Sequence, residues 1–157
     1  RMGHERFASG LASAGISGCI LPDLPLEELD AWSESASNSK IETILLAAPT
    51  TPDERLDEIC TRSYGFVYAV GLLGVTGVRS ELADSAIEIA SRLKKVTSKP
   101  VLVGVGIGTP EQAVKASEIS DGVIVGSAIV QEMIDSSSPE KVGELVSSFR
   151  NALDKNY

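Results

Sequence analysis

Residues 120–133 read SDGVIVGSAIVQEM. A short apolar run, Gly122 to Val125, stops at Gly126-Ser127 and resumes as an apolar segment of helical spacing. The seam between a buried strand and a helix is therefore made of the smallest residue and a hydroxyl. Such a seam suits an anion, because the first N–H groups of a helix have no partner inside it and form its positive end. Ala128, Ile129 and Val130 are expected to pack this helix down.

Upstream, four more runs share the character of the first: Gly18 to Leu21, Ile41 to Ala47, Phe66 to Val70 and Val101 to Val105. They are continuously apolar rather than alternating, as parallel strands covered on both faces are. Amphipathic stretches separate them. TPDERLDEI from Thr51 and TPEQAVKAS from Thr109 each predict an N-cap threonine, a proline at the first helical position and Glu54 or Gln112 at the third; Ser138-Pro139 repeats the pattern. From Ser80 to Val96 the residues Ala86, Ile87, Ala90, Leu93 and Val96 form one stripe, and Arg92, Lys94 and Lys95 load the C-terminal end. The order is a helix followed by five strand–helix units, which means a parallel sheet, either open and doubly wound or closed as a barrel.

With 157 residues the chain is short of the roughly 250 typical of a (β/α)8 barrel. Its 14 Lys+Arg against 22 Asp+Glu, a net charge of −8, argue against a nucleic-acid binder, whose affinity begins with neutralising phosphates. No apolar stretch reaches the length of a membrane span. Cys19 and Cys60 stand far apart, with His4 the single histidine, so reduced structural thiols in a cytoplasmic protein are expected rather than a disulfide or a metal site. The chain opens RMGHERFASG, with a helix under way from an initial Arg, which reads as a truncation.

The chemistry of this alternation sits where strands end. The third strand runs into Gly71, Gly74 and Gly77, the fourth into Gly104, Gly106 and Gly108, and the fifth into Gly126 and Ser127. Glycines there allow close backbone approach, and successive amides make an anion cradle without lysine. Each glycine alone is explained as well by a tight turn; three consecutive strand ends together favour phosphate. A dinucleotide fingerprint is excluded, because GVGIGTPEQ lacks the GxGxxG spacing. Asp23, between Pro22 and Pro25, stands at a strand end as either a general acid–base or a turn cap. Phe66 and Tyr68 point to one side of their strand, to stack on a flat ring or to fill the core. His4 reads as a solvent-facing helix residue. Neither a catalytic triad nor a metal cluster can be assembled from these residues.

Taken in order, ILPDLPLEE, AAPTTPDERL, GFVYAVGLLGVTG, VGVGIGTPEQ and DGVIVGSAIV resemble the alpha-subunit family of tryptophan synthase over essentially the entire chain. The resemblance implies a phosphate-binding (β/α)8 barrel, of which residues 1–157 form the C-terminal portion as an incomplete barrel of about five parallel strands with flanking helices. It further implies retro-aldol cleavage of indole-3-glycerol phosphate to indole and glyceraldehyde 3-phosphate. No cofactor is implied for the chain itself; the implied partner is a beta subunit that receives indole and uses pyridoxal phosphate. By motif, Gly77, Gly106, Gly126 and Ser127 correspond to the phosphate cradle, and Tyr68, Thr76 and Val105 to the wall around the indole ring, with Thr76 on a loop that closes over the site. Asp23 to Pro25 resembles the turn that meets the beta subunit, which moves Asp23 from chemistry toward interface.

The departures are equally specific. The family's two catalytic carboxylates belong before Arg1, with the first three strands, so the 157-residue chain is expected to be inactive by itself. Leu72 and Leu73 stand at loop positions that are more polar in some family members. Readings that keep the fold and change the substrate are a sugar-phosphate epimerase or a thiamine phosphate synthase; one that drops catalysis is a phosphate- or partner-binding module.

Overall fold

Parallel strands cannot be joined by a tight turn, so every strand must be followed by a crossover long enough to return the chain to the same end of the sheet. The computed structural model, which describes residues 2–71, 79–104 and 106–155, is built on that requirement. Helix α1 (His4–Ser13) leads into β1 (Gly18–Ile20), α2 (Leu29–Asn38), β2 (Glu42–Ala47), α3 (Asp53–Arg62), β3 (Val67–Val70) and α4 (Arg79–Val96). Strand β4 (Val101–Gly104), α5 (Pro110–Ser117), β5 (Gly122–Ile124), α6 (Ser127–Ser136) and α7 (Pro139–Asp154) complete it. The five strands fall where the apolar runs predict them, within a residue or two at each end.

The strand order is β1-β2-β3-β4-β5 and all four pairs are parallel. This order decides between the two architectures left open by composition. A doubly wound sheet reverses direction at a switch point and so places helices on both faces. Here the order never reverses, and right-handed crossovers that all step the same way put the connecting helices α2, α3, α4 and α5 on the same face. The result is a half-barrel.

Burial follows from that geometry. Residues in register on the helix side, Leu45, Val67 and Val101, then Ala47, Ala69 and Val103, are all buried. They meet Leu56 and Ile59 of α3, Ala86, Ile89, Ala90 and Leu93 of α4, and Ala113 and Ala116 of α5 in one core. On the opposite face Leu46, Tyr68, Leu102 and Gly122 are in register and only half-buried. Burial therefore alternates along β3 although the sequence is apolar throughout, and on β4 the alternation breaks only at Gly104, which the Tyr68 ring covers.

Polar groups fix the ends of the layers. The hydroxyl of buried Ser63 accepts from the Leu45 N–H (3.1 Å) and donates to the Phe66 carbonyl oxygen (2.7 Å), joining the end of α3 to β2. The Lys99 ammonium donates to the carbonyl oxygens of Cys60, Thr61 and Ser63 at 2.7, 3.1 and 2.5 Å, supplying the C-terminus of α3 with the cation its dipole favours. The basic residues at the end of α4 have specific partners: Lys94 meets Asp121 at 2.8 Å, while Arg92 donates to Asp53 and to the Pro49 and Thr51 carbonyl oxygens.

Three local expectations need correcting. Thr51 does not cap α3; its hydroxyl accepts from the Ala48 N–H (3.0 Å) in a turn closed by Thr51 N–H to the Ala48 carbonyl oxygen (2.8 Å), and Pro52 takes the cap position. In α4 Ile89 joins Ala86, Ala90 and Leu93 in the core, while Ile87 is half-buried and Val96 is exposed. Val130 is 54% exposed and does not pack α6 down.

Removing the Ser63 hydroxyl leaves the buried Leu45 N–H without an acceptor, so Ser63→Ala is expected to cost about 1–3 kcal/mol in urea unfolding. Asp121 gives a pH signature. The Lys94 ammonium and then the Val101 N–H hydrogen-bond its carboxylate and hold its pKa below the ordinary 3.8. The ion pair is partly exposed and screened, so its contribution is modest. A lowered folded pKa means stability that is complete above the unfolded value and lost as pH falls through the folded one. The stability difference between wild type and Asp121→Asn should be level from about pH 7 to 5 and shrink below about pH 4.

Candidate functional site

Register brings the C-terminal ends of three strands together: Val70 pairs with Gly104, and Gly104 with Ile124. Two residues beyond that row, on adjacent strands, lie Gly106 and Gly126. Gly106 has φ +80°, a conformation that L side chains rarely adopt, so its glycine is required by the backbone itself. Thr76, Gly77 and Val105 lie outside the described residues, as do Leu72, Leu73 and Gly74.

The glycines of these strand ends divide into two groups. A Cβ on Gly104 would lie 2.2 Å from the Tyr68 hydroxyl and 2.3 Å from its Cε2, so the Tyr68 ring occupies the place of the missing side chain. Burial raises the Tyr68 phenol pKa. Gly122 likewise makes room for Leu102, whose Cδ2 would be 2.9 Å from a Cβ there. Gly108 is engaged differently: its N–H donates to Gln112 Oε1 (2.7 Å), as does the Thr109 N–H (3.0 Å), in the capping box of α5. Gly126 belongs to neither set. A Cβ at Gly126 would have nothing within 4 Å, so no packing contact accounts for the glycine.

Gly126 is the N-cap of α6, and no side-chain hydrogen bond closes that end. Gly126 and Ser127 are both exposed. Each of the other helices whose first turn is described carries an acidic residue there: Glu5, Asp30, Asp53 with Glu54, Glu111 and Glu140. At α5 the Glu111 carboxyl is held below the usual range by its own backbone N–H and then by the Thr109 hydroxyl. At α7 the Ser138 hydroxyl and then the backbone N–H do the same for Glu140. Helix α6 has no acidic residue in its first turn, so its amides present their positive end outward. Chemically the arrangement can take an anion at α6, with Gly106 on the neighbouring strand end and an aromatic ring on the inner face below.

Asp23 and Pro25 are exposed in the turn after β1. That turn is closed by Leu24 N–H to the Leu21 carbonyl oxygen (3.2 Å), and Pro25 leads into a short 3-10 turn at Leu26–Glu28. Among the described residues, no group of three or more His, Cys, Asp or Glu could hold a metal ion, and no helix is long and apolar enough to cross a membrane. His4 is exposed, with its ring edge-on to Trp32 at 6.2 Å.

A family model described as tryptophan synthase alpha chain matches residues 1–155. The chain belongs to the tryptophan synthase alpha chain family. It is 42% identical over 155 residues to the tryptophan synthase alpha chain of Streptomyces avermitilis, covering 99% of this chain and 56% of that one. To the alpha chain of Gloeobacter violaceus it is 46% identical, covering 92% and 52%. Among solved structures it is similar to a tryptophan synthase of Mycobacterium tuberculosis, at 37% identity with TM-score 0.86, covering 98% of this chain and 58% of that one. It is also similar to the a2b2 tryptophan synthase complex of Pyrococcus furiosus, at 34% identity with TM-score 0.85, covering 95% and 61%. The chain thus spans about half the length of the curated relatives it matches, and its five strands are a half-barrel of the alpha chain's (β/α)8 fold.

For Gly104, one of the strand-end glycines, the structure supplies a packing role that the motifs do not give. Gly104 stands two positions along β4 from Leu102, the register partner of Tyr68, and determines how the Tyr68 ring lies. The available signal was a glycine diagonal to an aromatic residue on the adjacent parallel strand. A methyl group at Gly104 must displace the ring, so Gly104→Ala is expected to destabilise the chain by about 1–3 kcal/mol. The same substitution in a Tyr68→Leu background should cost far less, and the double-mutant cycle in urea unfolding reads the coupling directly.

Proposed function

We infer that the chain is the phosphate-binding part of an alpha-type tryptophan synthase, acting in tryptophan biosynthesis on indole-3-glycerol phosphate in the cytoplasm. The observation that carries this reading is the N-terminus of α6: a cap glycine with nothing around its missing Cβ and a first turn free of carboxylates. The phosphate is assigned to the amides of Gly126 and Ser127, the Ser127 hydroxyl, Gly106 and Gly77. The ring is assigned to a wall of Tyr68, Thr76 and Val105. The half-buried position of Tyr68 on the inner face supports that placement.

Cleavage requires a carboxylic acid to protonate the indole carbon at the breaking bond, and a carboxylate to stabilise the charge that develops on the ring nitrogen. Neither group is among the residues assigned to the site, so the 157-residue chain by itself is proposed to bind the substrate without releasing indole. The exposed turn at Asp23 and Pro25 is assigned to contact with a beta subunit, a partner supported by the a2b2 assembly of the Pyrococcus furiosus relative. No cofactor is assigned to the chain.

Isothermal titration of indole-3-glycerol phosphate, with inorganic phosphate as a second ligand, tests the cradle. Wild type should bind both saturably, and Gly126→Asp, which places a carboxylate where the phosphate sits, should weaken both at least about tenfold. A folded wild-type chain that binds neither ligand refutes the cradle.

A further inference from the structure

Helix α3 ends at the opposite end of the sheet from the glycine rim, where β3 and β4 begin. The last carbonyl oxygens of a helix have no donor inside it. At α3 the Ile59 carbonyl oxygen receives the Ser63 N–H at 2.9 Å. The carbonyl oxygens of Cys60 and Thr61 receive the Lys99 ammonium at 2.7 and 3.1 Å, and that of Ser63, just past the helix, receives it at 2.5 Å. An ammonium has three N–H donors and no acceptor, so the carbonyls equal its donors in number. The Tyr64 ring completes the enclosure, with its centroid 5.4 Å from the Lys99 nitrogen. That contact accounts for the place of a tyrosine that is 61% exposed.

The carbonyl oxygens are held together by the backbone around them. The Thr97 hydroxyl accepts from the Lys99 N–H (3.1 Å), and the Pro100 carbonyl oxygen accepts from the Val67 N–H (2.9 Å) where β3 and β4 start to pair. Gly65, at φ +77°, turns the chain between Tyr64 and Phe66, and the Tyr64 N–H donates to the Thr43 carbonyl oxygen of β2 (2.8 Å). Both β3 and β4 have a strand on either side, so the place is not a sheet edge.

The three acceptors are neutral. Recognition therefore rests on N–H donors, on the negative end of the α3 dipole and on the face of one ring. A primary ammonium offers all that these groups can take. A quaternary ammonium offers the charge alone.

We infer that the C-terminus of α3 and the Tyr64 ring form a binding site for a primary ammonium group, filled in cis by Lys99, and that its occupant latches α3 to the base of β3 and β4. The tether raises the local concentration of the occupant, so the site stays filled in the native chain. The inference is independent of the assigned substrate and of the phosphate cradle.

The test is chemical rescue. Lys99→Ala removes Cγ, Cδ, Cε and Nζ, the heavy atoms of n-propylamine. In urea unfolding its folding equilibrium constant should fall at least about tenfold. Added n-propylammonium should restore it saturably, by about tenfold at roughly ten times the dissociation constant, and leave wild type unchanged at equal ionic strength. Tetramethylammonium, a cation without an N–H, should restore nothing. Tyr64→Leu in the Lys99→Ala background should raise the half-saturating amine concentration about two- to fivefold. If Lys99→Ala is unfolded in buffer, refolding by n-propylammonium, read by far-UV dichroism, reports the same site. The inference is overturned by a Lys99→Ala chain as stable as wild type, by one that n-propylammonium neither stabilises nor refolds, or by an equal response to tetramethylammonium. Stability is the readout, so a failure of phosphate binding leaves the result intact.

Discussion

The structure depends on the direction in which its parallel strands are laid down. Each crossover steps from one strand to the next without reversal, so the connecting helices share one face and the strand ends share one rim. The helix-side core follows: Val67 and Val101 in one register row, Ala69 and Val103 in the next, with Leu93 and Ile89 of α4 above them. The site follows from the same constraint. Gly106 and Gly126 each lie two residues beyond the paired row Gly104–Ile124, because β4 and β5 run parallel and end at the same level.

Electrostatics at the helix starts is the second organising element. A helix N-terminus attracts negative charge, and most helices here satisfy that from within, with Glu111 on α5 and Glu140 on α7 as the clearest cases. The two carboxylates are also signs that these ends are occupied by the chain itself. Helix α6 follows directly on a strand end and has neither a side-chain cap hydrogen bond nor a carboxylate in its first turn. The difference among the helices lies in side chains alone, since the backbone amides are common to all.

Much of this was legible in the sequence because it rests on local signals. Apolar runs located all five strands, and Thr109-Pro110 with Gln112 located the start of α5. The identical Thr51-Pro52 pair failed because capping depends on where the hydroxyl finds a donor. The tight turn after β2 brings the Ala48 N–H to Thr51, and the helix begins without it. Ile87 and Ile89 were indistinguishable by composition; the line of contact between α4 and the sheet selects Ile89. Val130 has the spacing of a packed residue, but packing needs a partner surface, and among the described residues Val130 stays exposed.

The glycines show why the site was only partly legible. In sequence Gly104, Gly106, Gly108 and Gly126 look alike, four small residues at strand ends. In three dimensions Gly104 yields its space to Tyr68, Gly106 satisfies a positive φ, and Gly108 gives its amide to Gln112. Only Gly126 of the four has neither a close neighbour nor a dihedral that demands it. Motif resemblance assigns Gly106 and Gly126 to one cradle and gives Gly104 no role of its own; in the structure Gly104 acts through Tyr68 on the adjacent strand. Gly104 links two strands: the absence of one methyl group lets the Tyr68 ring of β3 lie against the end of β4. Ring and rim are thereby set by the same parallel register that closes the core on the other face of the sheet.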